Sequence, residues 1–243
     1  MYRHKKTYEL RYTDLDAYDN LKLSSLLSFL EESACLSADE LGFGYDDIAP
    51  KSMGFIVVNY YIELFRPIKF GDVLEVHTWP LRPKHLIFLR DYELYCNGSK
   101  IGVGTARWCM IDTENYNLLP ANAYFKESDF ENYNTERSID FRAWKIPPIE
   151  HGKQVYTRSV GFSDYDHYFH VNNTRYADFM CDVFSVDEMK NKYFKSIQIT
   201  YAKQCKYGEK LDFTREDCDG YILIEGRSGD ELRVQFKVEL NEV

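Results

Sequence analysis

The chain has 243 residues, of which 44% are apolar and 16% aromatic, and its formal net charge is −9 at pH 7. This length fits one large domain or two of about 120 residues, with enough apolar residues for a real core. The acidic balance argues against a nucleic-acid-binding protein and against general attraction to anionic membranes.

The cysteines and the N-terminus indicate the kind of compartment. Six cysteines are present and none forms a C-x-x-C pair, which favours reduced thiols over disulfides or a zinc site. The opening residues, MYRHKKTYELRY, contain no apolar signal-peptide core. No apolar run approaches the roughly 18 residues of a membrane span. We therefore expect a soluble cytoplasmic protein with no membrane partner and no bound metal or cofactor.

The first half of the chain is predicted to contain one strand, one helix and four further strands. Alternation predicts a strand over Tyr8–Tyr12, and a loop covers Tyr45–Gly54. Between them lies a helix ended by Gly42 and Gly44, with an apolar stripe formed by Leu23, Leu26, Leu27, Leu30 and Ala34. The later strands are Phe55–Phe65, Val73–Trp79, Leu86–Cys96 and Ile101–Ile111, with a turn at Asn97-Gly98.

The second half repeats this order after a polar, acidic connection over Pro120–Pro148. A strand at Tyr156–Phe162 precedes a helix at Asn172–Phe184. The later strands are Lys195–Lys203, Glu209–Glu216, Tyr221–Gly226 and Leu232–Leu240, with a tight turn at Ser228-Gly229.

The two halves also align residue by residue. An offset of 150 places Asp14, Asp16, Tyr18 and Phe29 on Asp164, Asp166, Tyr168 and Phe179. An offset of 137 places Lys69-Phe70-Gly71-Asp72 on Lys206-Tyr207-Gly208-Glu209, and one of 131 places Asn97-Gly98 on Ser228-Gly229. We infer an internal duplication, with an extra loop in the first copy.

This repeat predicts an α+β fold. One helix with an apolar stripe and a sheet of about five strands bury each other when the sheet wraps the helix, which is a hotdog. Two copies make a tandem hotdog whose sheets can join edge to edge and so protect exposed edges. The predicted units are residues 1–120, a connection over 121–150, and residues 151–243.

A cluster of titratable residues lies in Gly161–Met180, where Asp164, Asp166, His167 and His170 fall within seven residues. Asn172 and Asn173 follow and are good N-cap types, so the cluster precedes a predicted helix start. Such a start offers free N–H groups and a positive dipole end, which suit a developing oxyanion. The arrangement predicts a hydrolytic site; a solvated, Asp-rich turn that caps a helix is the alternative.

Five motifs in order carry a family resemblance. They are the Leu-Glu-Glu-Ser-Ala run that closes Tyr8–Ala34, the strand pair from Phe65 to Val73 with His77-Thr78-Trp79, Thr105-Ala106-Arg107-Trp108, Ser163-Asp164-Tyr165-Asp166 with His170-Val171-Asn172-Asn173, and Tyr201 with Cys205. The chain resembles the acyl-ACP thioesterases of plants and bacteria nearly from end to end.

The resemblance implies hydrolysis of the thioester between a fatty acyl chain and acyl carrier protein, which would be the partner. It implies a tandem hotdog in which the second copy is catalytic and the first holds most of the acyl tail. The sequence supports this asymmetry, because Asn20 takes the place of His170 and Lys22-Leu23 that of Asn172-Asn173.

Residue by residue, Asp166 and His170 match the catalytic Asp and His of the family. Two positions depart from its pattern: Tyr168 replaces the catalytic Asn, and Gln204 replaces the Glu that precedes the cysteine. Cys205 keeps its position.

Hydrolysis needs a base for water and donors for the oxyanion. Gln204 can orient water but cannot accept a proton at neutral pH, and Tyr168 is a donor rather than a base. We favour His170 as the base with Asp166 orienting it; the rival hypothesis makes Asp166 the base or nucleophile. Backbone N–H groups of Val171–Thr174 would hold the oxyanion.

The remaining candidates have structural alternatives. Cys205 suits a Cys–His nucleophile or, preferably, a small buried strand residue. His167 is a surface or supporting residue, and Asn172 and Asn173 are helix-start and loop-fixing residues. Three apolar residues, Leu26, Leu30 and Phe55, are candidates for a slot that holds the tail, although an ordinary core position is the preferred interpretation for each. Four basic residues, Arg175, Lys203, Lys206 and Lys210, could attract an acidic carrier protein or form a solvated face.

Two further functions remain open, an acyl-CoA thioesterase of the hotdog class and a non-catalytic acyl-binding protein. The sequence allows either a monomer or a homodimer.

Overall fold

The computed structural model describes residues 1–243 and contains eleven strands and three α-helices. In the first half these are β1 (His4–Glu9), α1 (Leu23–Glu40), α2 (Tyr45–Ile48), β2 (Met53–Leu64), β3 (Val73–Pro80), β4 (Phe88–Cys96), β5 (Ser99–Asp112) and β6 (Leu118–Leu119). In the second half they are β7 (Lys153–Ser159), α3 (Arg175–Cys181), β8 (Lys192–Tyr201), β9 (Lys210–Asp217), β10 (Ile222–Ser228) and β11 (Glu231–Glu242). The predicted order is present in both halves, with two unpredicted additions in the first: α2 inside the predicted loop and the two-residue strand β6 after β5.

All strands belong to one antiparallel sheet in the order β1-β3-β4-β5-β2-β8-β11-β10-β9-β7, with β6 paired to β5. The two halves meet where β2 pairs with β8, and Asn59 lies opposite Thr200. There the Asn59 side-chain amide donates to the Thr200 hydroxyl at 2.9 Å. The prediction of an α+β tandem hotdog with sheets joined edge to edge is therefore confirmed.

The apolar stripe of α1 explains why this segment is a buried helix. Its leucines at helical spacing lie inside the main core, and Leu30 has no exposed surface. The helix ends at Glu40, and Gly42 follows with φ of +75°, a left-handed conformation that glycine adopts without a steric cost. The N–H of Gly42 donates to the carbonyl of Asp39 and closes the last turn.

The helix of the second half, α3, is shorter than predicted. Its N-cap residue is Thr174, and neither Asn172 nor Asn173 caps it. The Asn172 side-chain oxygen instead accepts the N–H and the hydroxyl of Thr174, at 2.9 and 2.6 Å, which forms a turn before the helix. The helix ends at Cys181, so the predicted end at Phe184 was wrong.

The first strand of each half also lies earlier than predicted, and for the same reason. The carboxylate of Asp14 accepts the N–H of Arg11 at 2.9 Å, and that of Asp164 accepts the N–H of Gly161 at 2.8 Å. Each bond closes a short 3-10 turn, which ends the extended backbone before the predicted strand end.

The main core is shared between the halves. A cluster of 35 buried residues combines α1 and β2–β5 of the first half with α3 and β8–β11 of the second. A smaller cluster forms around Phe43, Ile48, Met110, Phe125 and Tyr133. None of the three helices has the length and hydropathy needed to cross a membrane.

The connection between the halves packs against both of them. The indole N–H of Trp79 donates to the Glu136 carbonyl, and the Gln235 amide donates to the Pro147 carbonyl, each at 2.9 Å. The ring of Phe141 stacks on that of Tyr61 with centroids 3.8 Å apart.

Candidate active site

The loop Asp166–His170 is closed by its own hydrogen bonds. The Asp166 N–H donates to the His170 carbonyl at 2.9 Å. The Asp166 carboxylate accepts the N–H groups of Tyr168 and His170, at 2.9 and 3.4 Å. Phe169 between them has φ of +59°, so the chain reverses sharply there. Asp166 thus fixes the backbone that carries the imidazole.

The first half contains the same loop at the predicted offset of 150. The Asp16 carboxylate accepts the N–H groups of Tyr18 and Asn20, at 2.8 and 3.0 Å. Asp19 has φ of +60°, which corresponds to Phe169. The two loops therefore differ in the side chain they present, an amide at Asn20 and an imidazole at His170.

The imidazole of His170 lies against the other half of the molecule. Its Nε2 is 3.4 Å from the hydroxyl oxygen of Tyr116, and the two ring centroids are 5.7 Å apart. Tyr116 lies in the turn after β5, with φ of +61°. No carboxylate bonds to the ring, so Asp166 orients His170 through its main-chain N–H and not, as the predicted pairing implies, through the imidazole.

Asp164 precedes this loop and is held in place by its own contacts. Its carboxylate is buried, with 1% of the side chain exposed, and Arg158 donates to it at 2.8 Å. The Arg158 guanidinium also lies over the Phe179 ring, 4.1 Å from its centroid. These contacts give Asp164 a structural role beside the candidate site.

Gln204 and Cys205 lie on the loop between β8 and β9. The Gln204 side chain is exposed, and neither residue forms a hydrogen bond with the Asp166–His170 loop. Cys205 is buried next to Tyr176, whose hydroxyl accepts the Cys205 N–H at 3.2 Å. Burial raises the pKa of the Cys205 thiol to about 11, which keeps it protonated and disfavours the nucleophile hypothesis.

The segment Val171–Thr174 has two N–H groups without a partner. The N–H of Asn172 donates to the Asp164 carbonyl at 2.9 Å, and that of Thr174 donates to the Asn172 side chain. The N–H groups of Val171 and Asn173 remain free. The Asn173 carbonyl accepts the Tyr201 hydroxyl at 3.1 Å, which fixes the segment.

The predicted tail slot is not formed as a single feature. Leu26 and Leu30 belong to the main core, whereas Phe55 packs on the smaller cluster, against Phe43 and Phe88. Leu26 lines a cavity of about 30 Å³ beside Asn20, at the loop of the first half. Phe55 is therefore separated from Leu26 and Leu30, because it packs against a different cluster.

Glu31 of α1 is a candidate that the sequence analysis missed. Burial, reinforced by the nearby charge of Asp166 and opposed by the Asn172 side chain, raises the pKa of Glu31 to about 7. The residue follows Leu30 directly, so helical periodicity places it at the border of the apolar stripe. Its contact with the second half is invisible in the sequence.

Family models match both halves of the chain. The N-terminal domain of acyl-ACP thioesterases matches residues 1–122, and the C-terminal domain matches residues 150–242. The chain belongs to the acyl-ACP thioesterase family. The matched regions include the Asp16–Asn20 and Asp166–His170 loops of this family member.

Two plant relatives illustrate the sequence similarity. The chloroplastic oleoyl-acyl carrier protein thioesterase 1 of Arabidopsis thaliana is 20% identical over 86% of this chain and 62% of its own length. The chloroplastic palmitoyl-acyl carrier protein thioesterase of the same plant is 24% identical over 83% of this chain and 52% of its own length. The chain thus spans about half to three fifths of the length of these relatives.

Solved structures confirm the fold. An acyl-ACP thioesterase from Bacteroides thetaiotaomicron superposes with a TM-score of 0.89 at 19% identity, over 98% of both chains. The 12:0-ACP thioesterase of Umbellularia californica has a TM-score of 0.84 at 14% identity, over 99% of this chain and 98% of its own.

Proposed function

We propose that this protein hydrolyses the thioester of a fatty acyl chain on acyl carrier protein and releases the free fatty acid. The observation that supports this most is the match of both halves to the two domains of one thioesterase family. An imidazole is presented by the second loop alone, at the place where the two halves meet.

The residues of the loop support a division of roles in this reaction. Asp166 shapes the loop, and His170 with Tyr116 supplies proton-bearing groups beside the thioester. The free N–H groups of Val171 and Asn173 are suited to hold the oxyanion of the tetrahedral intermediate. Tyr168 and Gln204, which depart from the family pattern, are both exposed and take no part in this scheme.

The two halves have different proposed tasks. Residues 151–243 carry the reactive loop, and residues 1–120 would hold most of the acyl tail. Residues 121–150 connect them. The first half suits a tail because its interior is lined by apolar residues of α1 and β2–β5.

The test compares purified full-length protein with His170→Ala on acyl carrier protein and CoA thioesters of the same acyl chain. We expect wild-type hydrolysis of the carrier-protein thioester and a loss of about 100-fold or more in the variant, the usual size of an acid–base contribution. His151→Ala, which removes an exposed imidazole outside the Asp166–His170 loop, is the matched control.

The comparison also separates the competing functions. A higher kcat/KM on the CoA thioester would favour an acyl-CoA thioesterase. A Bacillus subtilis relative that carries the name putative acyl-CoA thioesterase is 25% identical to this chain over 52% of its length. Acyl-chain binding without turnover of either thioester would identify a binding protein.

We place this activity in a reducing compartment such as the cytoplasm. All six cysteines are free thiols in the structure. Disulfides persist mainly in oxidising compartments, so their lack of pairing supports this placement.

A further inference from the structure

The imidazole of the second half meets a phenol of the first half. The Nε2 atom of His170 lies 3.4 Å from the Tyr116 hydroxyl oxygen, and the two rings meet edge to face at 77°. We propose that Tyr116 is a positioning residue, whose oxygen accepts the Nε2 proton and so makes Nδ1 of His170 the atom that takes a proton from water. The role rests on the proposed function, because Tyr116 acts through His170, and it assembles the site from both halves.

The turn that carries Tyr116 is built around Asp112, the last residue of β5. The Asp112 carboxylate accepts the N–H groups of Glu114 and Asn115, at 2.8 and 3.3 Å, and the Asn115 side-chain amide at 3.0 Å. The Asp112 carbonyl accepts the Tyr116 N–H at 2.9 Å. The Asn115 side-chain oxygen accepts the Asn117 N–H at 2.9 Å. The backbone is thus fixed on both sides of Tyr116.

The same turn is tied to the residue that precedes β2. The Thr113 N–H donates to the Ser52 carbonyl at 2.8 Å. The Ser52 hydroxyl donates to the Glu114 carboxylate, also at 2.8 Å. Because β2 and β5 are neighbours in the sheet, Tyr116 is held by the central sheet and not by a loose loop.

Both turns that form this contact hold a bulky residue in the left-handed backbone region. Tyr116 has φ of +61°, and Phe169, which precedes His170, has φ of +59°. Large side chains rarely adopt this conformation, and they keep it where the surrounding structure enforces it. Such strain is concentrated at functional sites. The strain therefore supports a function for the approach of the phenol to the imidazole.

The duplicated loop provides an internal comparison. Asn20 takes the place of His170, and the Asp16 carboxylate accepts its N–H at 3.0 Å. The Asn20 side-chain oxygen is buried and has no hydrogen-bond partner. Contact with the opposite half is made instead by Tyr18, whose hydroxyl donates to the Val186 carbonyl at 2.7 Å. A hydroxyl group is thus supplied to the loop that carries the imidazole and not to its counterpart.

The hydroxyl at Nε2 decides which nitrogen of His170 can act as a base. A neutral imidazole carries one ring proton, and the hydrogen bond made by one nitrogen determines where that proton lies. When the Tyr116 oxygen accepts the Nε2 proton, the lone pair lies on Nδ1, which has no partner in the protein. The reverse arrangement would place the proton on Nδ1 and fill the lone pair of Nε2, so neither nitrogen could accept a proton from water.

The length of this contact is consistent with a site that holds no substrate. A distance of 3.4 Å is at the long end for a hydrogen bond. Catalytic hydrogen bonds are often long in the free enzyme and shorten when the substrate binds.

The step balances as an ordinary hydrolysis. Nδ1 of His170 accepts a proton from water as the water oxygen bonds to the thioester carbon, which gives a tetrahedral oxyanion. Nε2 keeps its proton and its bond to Tyr116 while the ring is positively charged. The carbon–sulfur bond then breaks, its electron pair goes to sulfur, and Nδ1 returns the proton to the thiolate. The products are the fatty acid and the thiol of the carrier group.

The kinetic test compares wild type with Tyr116→Phe on an acyl carrier protein thioester. Phenylalanine keeps the ring contact and removes the hydroxyl. Loss of the outer partner of a metal-bound histidine lowers activity by about 10–100-fold, and we expect a loss of this order in kcat with little change in KM. Tyr12→Phe, which removes an exposed tyrosine hydroxyl of the first half, is the matched control and should keep wild-type kcat.

Nitrogen NMR of the imidazole rings tests the tautomer without any turnover. At alkaline pH, where imidazoles are neutral, wild-type His170 should carry its proton on Nε2. Tyr116→Phe should produce a mixture of the two tautomers, whereas Tyr12→Phe should not. The His170 signals are assigned by their absence from the spectrum of His170→Gln.

A double variant separates a role through His170 from an independent one. Tyr116→Phe should lower kcat no further in the His170→Gln background. Equal losses in both backgrounds, or a tautomer that Tyr116→Phe leaves unchanged, would overturn the positioning role and leave thioester hydrolysis intact. A wild-type protein inactive on both carrier-protein and CoA thioesters would instead remove the proposed function, and the role of Tyr116 in it.

Discussion

At the residue scale, the burial of Glu31 makes the stability of the protein depend on pH. A carboxyl group whose pKa is higher in the folded chain than in the unfolded chain binds protons on folding. The folded protein therefore loses stability as the pH rises from the ordinary Glu value of 4.5 to the folded value of about 7. Above this window the full cost of a buried charge is present, about 3 kcal/mol for a shift of this size.

This coupling predicts that Glu31→Gln stabilises the protein at alkaline pH. The amide has no charge to desolvate, so the variant should exceed the wild type by up to about 3 kcal/mol at pH 8 and match it near pH 4.5. Urea unfolding at several pH values measures the difference. Glu32→Gln should show no such trend, and a destabilised Glu31→Gln at pH 8 would contradict the inferred burial of the charge.

At the element scale, Asp164 shows how a side chain ends a strand and fixes a loop. It bonds the Gly161 N–H and the Arg158 guanidinium while fully buried. Asp164→Ala leaves Arg158 without this partner and should destabilise the fold by about 3 kcal/mol, the range for a broken buried pair. The urea midpoint checks this, with exposed Asp219→Ala as the control. A midpoint equal to that of the control would show that the turn forms without its carboxylate.

Local sequence patterns predicted the helices and strands of this chain, but they did not predict the side-chain contacts that end those elements. The spacing of Leu23, Leu26 and Leu30 was enough to predict α1, because a helix buried on one face has apolar residues every three or four positions. The ends of β1 and β7 were missed, because a side chain of Asp14 or Asp164 competes with strand hydrogen bonds.

The candidate site was predictable only in part. His170 and Asp166 were found because they are close in sequence. Tyr116 and Glu31 were missed because they reach the site through the pairing of the two halves, which places residues more than 50 positions away beside the loop. When two repeats share a site, the sequence reveals only the residues that lie close together in one repeat, here the Asp166–His170 cluster of the second half.

At the scale of the whole molecule, the shared core argues that the halves fold together. The main cluster draws on both halves, and β2 is covered by β8 on the edge that faces the second half. A separated first half would expose that edge and its own part of the cluster to water, and the exposed apolar surface would lower its stability.

We therefore predict a single cooperative unfolding transition in urea. The three tryptophans, Trp79, Trp108 and Trp144, all precede residue 150, so their fluorescence reports the first half and the connection. Hydrogen exchange of β9 and β10 reports the second half. The two probes should give the same midpoint and slope, because neither half keeps its core when the other unfolds. Two separate midpoints would show that each repeat is stable alone, and the composite site would then depend on docking of the halves rather than on folding.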